Sequence, residues 1–332
     1  MAHPIHQANE NSPFGNLTRD EFYKKHHILH QQSFILNKRN MKIYTQKWRP
    51  DSTTTTRLKG IVAMIHGYTS ESSWIFELTA VAIAKLGFIV CSLDIQGHGY
   101  SEGLYGHIPN IRPVIDDCIK YFDSIRADHP KLPSFLYGES LGGAIAMLIA
   151  LKQKGNWNGL VLNGALCGIS AKFKPAWPLE MFLPLAAFFA PTWRVVISKP
   201  LKSRSYKEEW KRKLVWKNPN RRICGKPPAA TALEFLRICE EIRRKCHELE
   251  LPLLVVHGED DSVCDSNSAR LVYELSKSKD KTLKIFPGMW HMLIGEPKEN
   301  IDLVFEMIFS WLRDRADRFV TNNNSRSYME IM

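Results

Sequence analysis

The sequence lacks a long hydrophobic run, which argues against a membrane-spanning helix. Its most apolar stretch, residues 181–193, has only 13 residues and includes Pro184, whereas a spanning helix needs about 20 apolar residues. Residues 1–16 are polar and contain no apolar segment typical of a secretory signal. We therefore expect a cytoplasmic protein.

Paired cysteines and the common metal and nucleotide motifs are also missing. The seven cysteines are an odd number without CxxC spacing, which favours free thiols in a reducing compartment. The sequence has no HExxH, no GxxxxGK[ST] and no complete GxGxxG, so the usual zinc, phosphate and dinucleotide sites are not indicated. We expect neither a metal nor an organic cofactor.

Basic charge is concentrated in one segment. Residues 194–226 contain twelve Lys or Arg and only two acidic residues, and so carry +10 of the net charge of +11. Such local charge, directly after the apolar residues 181–193, fits an anionic membrane better than nucleic acid. A solvated charged face is the simpler alternative. We predict peripheral contact with an anionic membrane through residues 181–226 and no nucleic-acid binding.

The fold class follows from an alternation of short β-branched segments with helical segments from residue 61 onward. This pattern is typical of βαβ units and a mostly parallel sheet. We therefore predict an α/β fold with helices on both faces of the sheet. The predicted strands are residues 33–36 and 41–48, as an antiparallel pair, and then 61–65, 88–93, 134–137, 160–162, 253–256 and 282–286.

The alternation stops near residue 164 and resumes at residue 251. Prolines, aromatics and basic residues fill this gap, followed by an amphipathic helix. We interpret the gap as a cap over the C-terminal edge of the sheet, where open α/β sheets bind ligands. The predicted domains are a polar N-terminal extension (1–30), a core (31–165 and 251–320), the inserted cap (166–250) and a polar tail (321–332).

A candidate nucleophile lies between a predicted strand and a predicted helix. Residues 138–142 read Gly-Glu-Ser-Leu-Gly, the G-x-S-x-G pattern in the context that it requires. A sharp turn there exposes the hydroxyl of Ser140 at the top of the sheet, facing a helix N-terminus. The arrangement predicts Ser140 as the nucleophile of an acyl transfer.

A serine hydroxyl needs a base that a carboxylate holds in the right tautomer. The fold supplies the partners in the order Ser, Asp, His. His291 follows the last predicted strand, which indicates that it is the base. Spacing alone leaves three candidates for the acid, Asp260, Asp261 and Asp265, in the loop after the strand at 253–256.

A resemblance to a known family rests on five segments of the sequence, which are residues 66–68, 94–103, 138–143, 258–265 and 287–291. Over residues 61–312 the chain resembles the monoacylglycerol lipase and lysophospholipase-like family of α/β-hydrolases, in particular its plant branch, which includes caffeoylshikimate esterases. The resemblance implies an α/β-hydrolase fold and selects Asp261 as the acid of the triad.

The oxyanion of such a reaction is stabilised by backbone N–H groups, one after the nucleophile and one in the loop after the first central strand. These groups would belong to Leu141 and Tyr68. His66 and His98 belong to the resembling segments, but we interpret both as structural.

The resemblance and the apolar cap favour a lipid ester as substrate, a monoacylglycerol or a lysophospholipid, cleaved through an acyl-Ser140 intermediate. A caffeoylshikimate-type phenolic ester is the alternative substrate, and a small-molecule receptor on a hydrolase fold is the alternative class. Four apolar residues of the cap are the predicted substrate-binding residues: Phe182, Leu185, Phe188 and Phe189.

Overall fold

A computed structural model describes residues 2–51, 57–172, 179–194, 205–220 and 226–329. In this part of the chain, eight strands form one sheet in the order β1-β2-β4-β3-β5-β6-β7-β8. The first two pairings, β1 with β2 and β2 with β4, are antiparallel and all others are parallel. The strands are β1 (Ile28–Leu36), β2 (Lys42–Pro50), β3 (Gly60–Ile65), β4 (Phe88–Leu93), β5 (Ser134–Glu139), β6 (Gly159–Asn163), β7 (Leu253–Gly258) and β8 (Lys281–Phe286).

Helices cover both faces of the sheet, as the alternating pattern predicts. One hydrophobic cluster packs α3, α4, α7 and α8 on one face, and a second packs α2, α6 and α9 on the other. Because both faces are covered, every residue of β3, β4, β5, β6 and β7 is buried. The helices are α1 (Arg19–Lys25), α2 (Trp74–Ala84), α3 (Arg112–Asp128), α4 (Leu141–Lys152), α5 (Leu179–Phe189), α6 (Glu209–Trp216), α7 (Ala229–Lys245), α8 (Ser266–Leu275) and α9 (Lys298–Met329).

The N-terminal segment differs from the predicted polar extension. Ile5 and Phe22 are fully buried in the cluster that contains α9, and α1 begins with a capping box between Thr18 and Glu21. Isolated apolar residues in a polar segment show no periodicity, and so their burial cannot be predicted from the local sequence pattern. At the other end α9 continues to Met329, through most of the predicted tail.

Within its described residues, the insertion between β6 and β7 contributes three α-helices, α5, α6 and α7. The last of these packs on α4 and α8 in the core, and α5 packs on α7. Residues 195–204 and 221–225, which carry five of the basic residues of this insertion, lie outside the described residues. Within the described helices, no segment is both long and apolar enough to cross a membrane.

Candidate active site

Ser140 occupies a strained turn between β5 and α4. Its backbone has φ 53° and ψ −120°, a left-handed conformation that non-glycine residues rarely adopt. Two glycines make the turn possible: a Cβ at Gly138 would lie 2.3 Å from the Gly142 carbonyl oxygen, and one at Gly142 would lie 2.0 Å from that of Ile65. The G-x-S-x-G spacing is thus a steric requirement of this turn.

The loops after β5, β7 and β8 bring three predicted residues together. Ser140 Oγ lies 3.0 Å from His291 Nε2, and His291 Nδ1 lies 2.7 Å from Asp261 Oδ2. With Nδ1 donating to the carboxylate, Nε2 is free to accept the serine proton. This is the hydrogen-bond chain of a Ser-His-Asp triad.

The structure also distinguishes the three aspartates of the β7 loop. Asp261 is buried, and its Oδ1 accepts hydrogen bonds from the backbone N–H groups of Val263 (2.7 Å) and Cys264 (2.9 Å). Asp260 is exposed, and Asp265 caps the N-terminus of α8. Of the three, therefore, Asp261 is the one that contacts His291.

A second histidine, His257, also contacts the Asp261 carboxylate. His257 Nε2 lies 3.1 Å from Asp261 Oδ2, with both side chains fully buried. Its Nδ1 has no hydrogen-bond partner among the described residues, so the proton belongs on Nε2, which donates to the carboxylate. In the sequence, this contact is indicated by the position of His257 at the end of β7, four residues before Asp261.

The surroundings of Asp261 keep its carboxyl ionised. Burial by itself would raise the pKa, but the electrostatic interaction with His291 and the hydrogen bonds from His257 and His291 outweigh it and hold the pKa of Asp261 well below its usual range. The pKa of Glu139, beside the nucleophile, is shifted in the opposite direction. Burial raises the pKa of Glu139 to about 7, although Tyr137 donates a hydrogen bond to it (2.6 Å).

Ligand atoms of Asp261, Cys264 and His291 all lie within 4.8 Å of one another. Asp261 and His291 belong to the triad, and the backbone N–H of Cys264 donates a hydrogen bond to Asp261. Both oxygens of Asp261 already accept hydrogen bonds, from His257 and His291 on one side and from the backbone on the other. We interpret the cluster as acid–base machinery and assign no metal to it.

Ser140 and His291 open into a pocket that core and insertion form together. Tyr68 and Leu141, the predicted oxyanion-hole residues, both line it. Leu141 is the first residue of α4, where N–H groups have no partner within the helix, and a Cβ at Gly67 would lie 3.0 Å from Ser140 Cβ, so the loop carrying Tyr68 passes close to the nucleophile. Their oxyanion role stays a prediction.

The four predicted substrate-binding residues lie elsewhere. Phe182, Leu185, Phe188 and Phe189 are exposed on α5, the last two at 79% and 78% of their surface, and none of them lines the pocket. Among the described side chains of this helix, Leu183 is the buried one, and it packs against α7. Hydrophobicity alone does not show which face of an apolar helix is turned inward, and here the predicted residues face outward.

A Ser-His-Asp triad at the C-terminal edge of a mostly parallel sheet defines a serine hydrolase of the α/β-hydrolase fold. The chain belongs to the serine aminopeptidase S33 family, whose model matches residues 56–298. It is 30% identical to the caffeoylshikimate esterase of Arabidopsis thaliana over 310 residues, 92% of each chain. It is also 30% identical to the monoglyceride lipase of Homo sapiens over 289 residues, 85% of this chain and 90% of that protein.

The fold is similar to solved structures as well. A monoglyceride lipase variant from Saccharomyces cerevisiae, crystallised with a substrate analogue, matches with a TM-score of 0.75 at 19% identity, over 86% of this chain and 95% of the other. The protein is therefore a serine ester hydrolase of the monoglyceride lipase and caffeoylshikimate esterase type.

Proposed function

We propose that the protein hydrolyses lipid monoesters, monoacylglycerols or lysophospholipids, with the triad and oxyanion-hole residues in their predicted roles. His291 takes the proton of Ser140 as its Oγ attacks the ester carbonyl, and Asp261 stabilises the resulting imidazolium. Backbone N–H groups of Tyr68 and Leu141 bind the oxyanion. His291 then protonates the leaving alcohol, and water activated by His291 hydrolyses the acyl-Ser140 intermediate.

The apolar wall of the pocket beside Ser140 carries this proposal. Leu166, Ile169, Val263 and Phe235 line the pocket together with the nucleophile. A flexible acyl chain gains free energy from each methylene that such a wall removes from water. The insertion also supplies Tyr206, Val215 and Asn218 to the lining, which supports the interpretation of residues 166–250 as a cap.

The substrate proposal is tested with a series of monoacylglycerols of increasing chain length. Each buried methylene contributes about 0.8 kcal/mol, so we expect kcat/KM to rise about tenfold per two methylenes until the pocket is full. Initial rates below the solubility limit of each ester measure this. Phe188→Ser is the matched control: because Phe188 lies outside the pocket, the dependence on chain length should be unchanged in solution.

A caffeoylshikimate-type ester is the second candidate, which the similarity to the Arabidopsis enzyme supports. A rigid phenolic acid gains nothing from added methylenes. Turnover of a caffeoyl ester well above that of every monoacylglycerol would reverse our choice of substrate, while the triad would keep its roles.

We also propose that α5 is the contact with an anionic membrane, for a protein located in the cytoplasm. The exposed apolar side chains on and near this helix form a surface that is unusual for a water-facing helix. Lys213 and Lys217, on and after α6, are exposed, but Lys211 is not part of the basic surface. It is 2% exposed and donates to the Glu296 carbonyl, and burial lowers its pKa to about 8. The exposed apolar surface comprises Met181, Phe182, Leu185, Phe188, Phe189 and Trp193.

The membrane proposal predicts that the protein sediments with anionic liposomes at low salt and is released as salt rises, because salt screens charge over about 10 Å at 0.1 M. Replacing Phe188 and Phe189 together by serine should lower binding at least about tenfold, since a buried phenylalanine contributes about 1.5–3 kcal/mol. Phe34→Ser, at an exposed position on the edge strand β1, should bind as the wild type does. Equal binding by the double variant would contradict a role of α5.

A further inference from the structure

The loop that carries the catalytic histidine contacts the insertion as well as the core. A short segment of the insertion, residues 205–211, leads into α6 and lies along the loop between β8 and α9; we call it the strap. The Met292 backbone N–H donates a hydrogen bond to the Ser205 carbonyl (2.9 Å). The Glu208 backbone N–H donates to the Gly295 carbonyl (3.0 Å). The strap therefore pairs with the loop through the backbone.

Two lysines of the strap add side-chain contacts to the same loop. Lys207 Nζ donates to the Gly288 carbonyl (2.9 Å), at the start of the loop. Lys211 Nζ is buried and donates to the Glu296 carbonyl, at the end of the loop. A buried ammonium is costly unless it is paired, and Lys211 is also attracted to the Glu296 carboxylate. The strap thus holds the loop on both sides of the catalytic histidine.

Glu296 is a buried acid that reaches back to the residue before His291. Its Oε1 accepts a hydrogen bond from the Trp290 backbone N–H (2.7 Å). Its Oε2 accepts one from the Asn300 side-chain amide (3.2 Å) and lies 3.8 Å from Lys207 Nζ. Hydrogen bonds to a carboxylate are stronger than those between neutral groups. The side chain therefore fixes the backbone beside His291, although none of the proposed catalytic steps uses it.

The loop that carries the triad acid is the second support of the histidine loop. The Asp260 backbone N–H donates to the Met289 carbonyl (3.0 Å). A Cβ at Gly258 would lie 2.4 Å from the Trp290 carbonyl oxygen, so the two loops are in close contact. The position of His291 is therefore set by backbone contacts with the β7 loop and with the strap, before any ester binds.

We propose that Glu296 is a positioning residue for the catalytic histidine and that Lys211 links this position to the insertion. The Glu296 carboxylate holds the backbone beside His291, which keeps Nε2 within hydrogen-bond distance of Ser140 Oγ. A displacement of about 1 Å in such a contact can lower a rate about 10²-fold. The insertion then supports the catalytic base in addition to lining the pocket. This inference rests on the role of His291 in the proposed function and applies to any ester substrate.

Hydrolysis of p-nitrophenyl acetate tests the inference, because so small an ester needs little of the pocket. Glu296→Ala should lower kcat about 10²-fold, since the Trp290 N–H loses its acceptor and the backbone beside the base is freed. KM should change little, because acylation and deacylation both use His291. Glu296→Gln keeps a carbonyl oxygen for the Trp290 N–H and should restore most of the lost kcat.

Lys211→Met tests the link to the insertion. Methionine keeps most of the length of the side chain and loses the ammonium, so we expect kcat to fall about tenfold, the effect of one hydrogen bond from a charged group. Lys298→Met and Glu299→Gln are the matched controls, at exposed positions at the start of α9. Both should keep the kcat and KM of the wild type.

A proton NMR measurement distinguishes positioning from general support of the fold. The proton on His291 Nδ1, in its short hydrogen bond to Asp261, should resonate far downfield because such bonds are charge-assisted. Its loss in His291→Ala assigns the resonance. We expect it to shift or broaden in Glu296→Ala and in Lys211→Met, and to stay in place in the two controls.

Thermal unfolding shows which variants are folded under the assay conditions. Wild-type kcat in folded Glu296→Ala would overturn the inference, and so would a change in KM alone with the resonance in place. Equal losses in Glu296→Ala and Glu296→Gln would contradict the role of the bond to Trp290. If Glu296→Ala does not fold, Lys211→Met decides: wild-type kcat with an unshifted resonance overturns the inference. The proposed mechanism fails separately, by turnover in His291→Ala.

Discussion

Ser140→Ala is expected to lower kcat by roughly 10⁴ to 10⁶, because the triad acts as a unit and loses its function with any essential member. Hydrolysis of a short-chain ester by purified protein measures the loss. Folding should be retained, since alanine fits the space of serine and the strained backbone at φ 53° is the same for both. Thermal unfolding of the variant therefore serves as the check on structure.

A fluorophosphonate probe gives an independent measurement of the same prediction. The wild type should react at Ser140, Ser140→Ala should not, and Ser310→Ala, a change on the distant helix α9, should react as the wild type does. Ester turnover by Ser140→Ala comparable to that of the wild type would contradict the assignment of the nucleophile. Failure of the wild type to react would favour the receptor interpretation of the fold.

Asp261→Asn is expected to lower kcat by about 10⁴, by the loss of the correct His291 tautomer. Asparagine cannot reproduce the hydrogen bonds of this site, because each carboxyl oxygen of Asp261 accepts two of them. Oδ2 accepts from His291 and His257, and Oδ1 accepts from the N–H groups of Val263 and Cys264. The amide NH₂ of asparagine must face one of these two pairs of donors, so either the histidines or the backbone lose their acceptor.

The neighbouring aspartates supply matched controls for this prediction. Asp260→Asn changes an exposed side chain, and Asp265→Asn replaces one good helix N-cap by another at the start of α8. Both should retain kcat within a few-fold of the wild type by the same assay. A large loss in Asp260→Asn with little loss in Asp261→Asn would move the triad acid by one residue.

Much of the core and of the candidate site could be predicted because the signals are local. Buried strands such as β3 and β5 appear as short apolar runs, and the turn at Ser140 requires a fixed spacing of glycines. His291 follows from the chain order of the triad. By contrast, the outward orientation of Phe188 depends on how α5 packs against α7, which no local pattern encodes. The contact between His257 and Asp261 depends in the same way on the path of a loop.

The N-terminal segment has a consequence for synthesis of the protein. His6 hydrogen-bonds to Asp302 (2.7 Å), 296 positions later, and the His3 ring lies 4.4 Å from that of Phe305. The same segment also packs against α2, where His3 Nε2 lies 3.3 Å from Thr79 Oγ1, and α2 is synthesised early. On the ribosome, the contacts of residues 3–6 with α9 can form only after that helix has emerged, so the packing around Ile5 is completed late in folding.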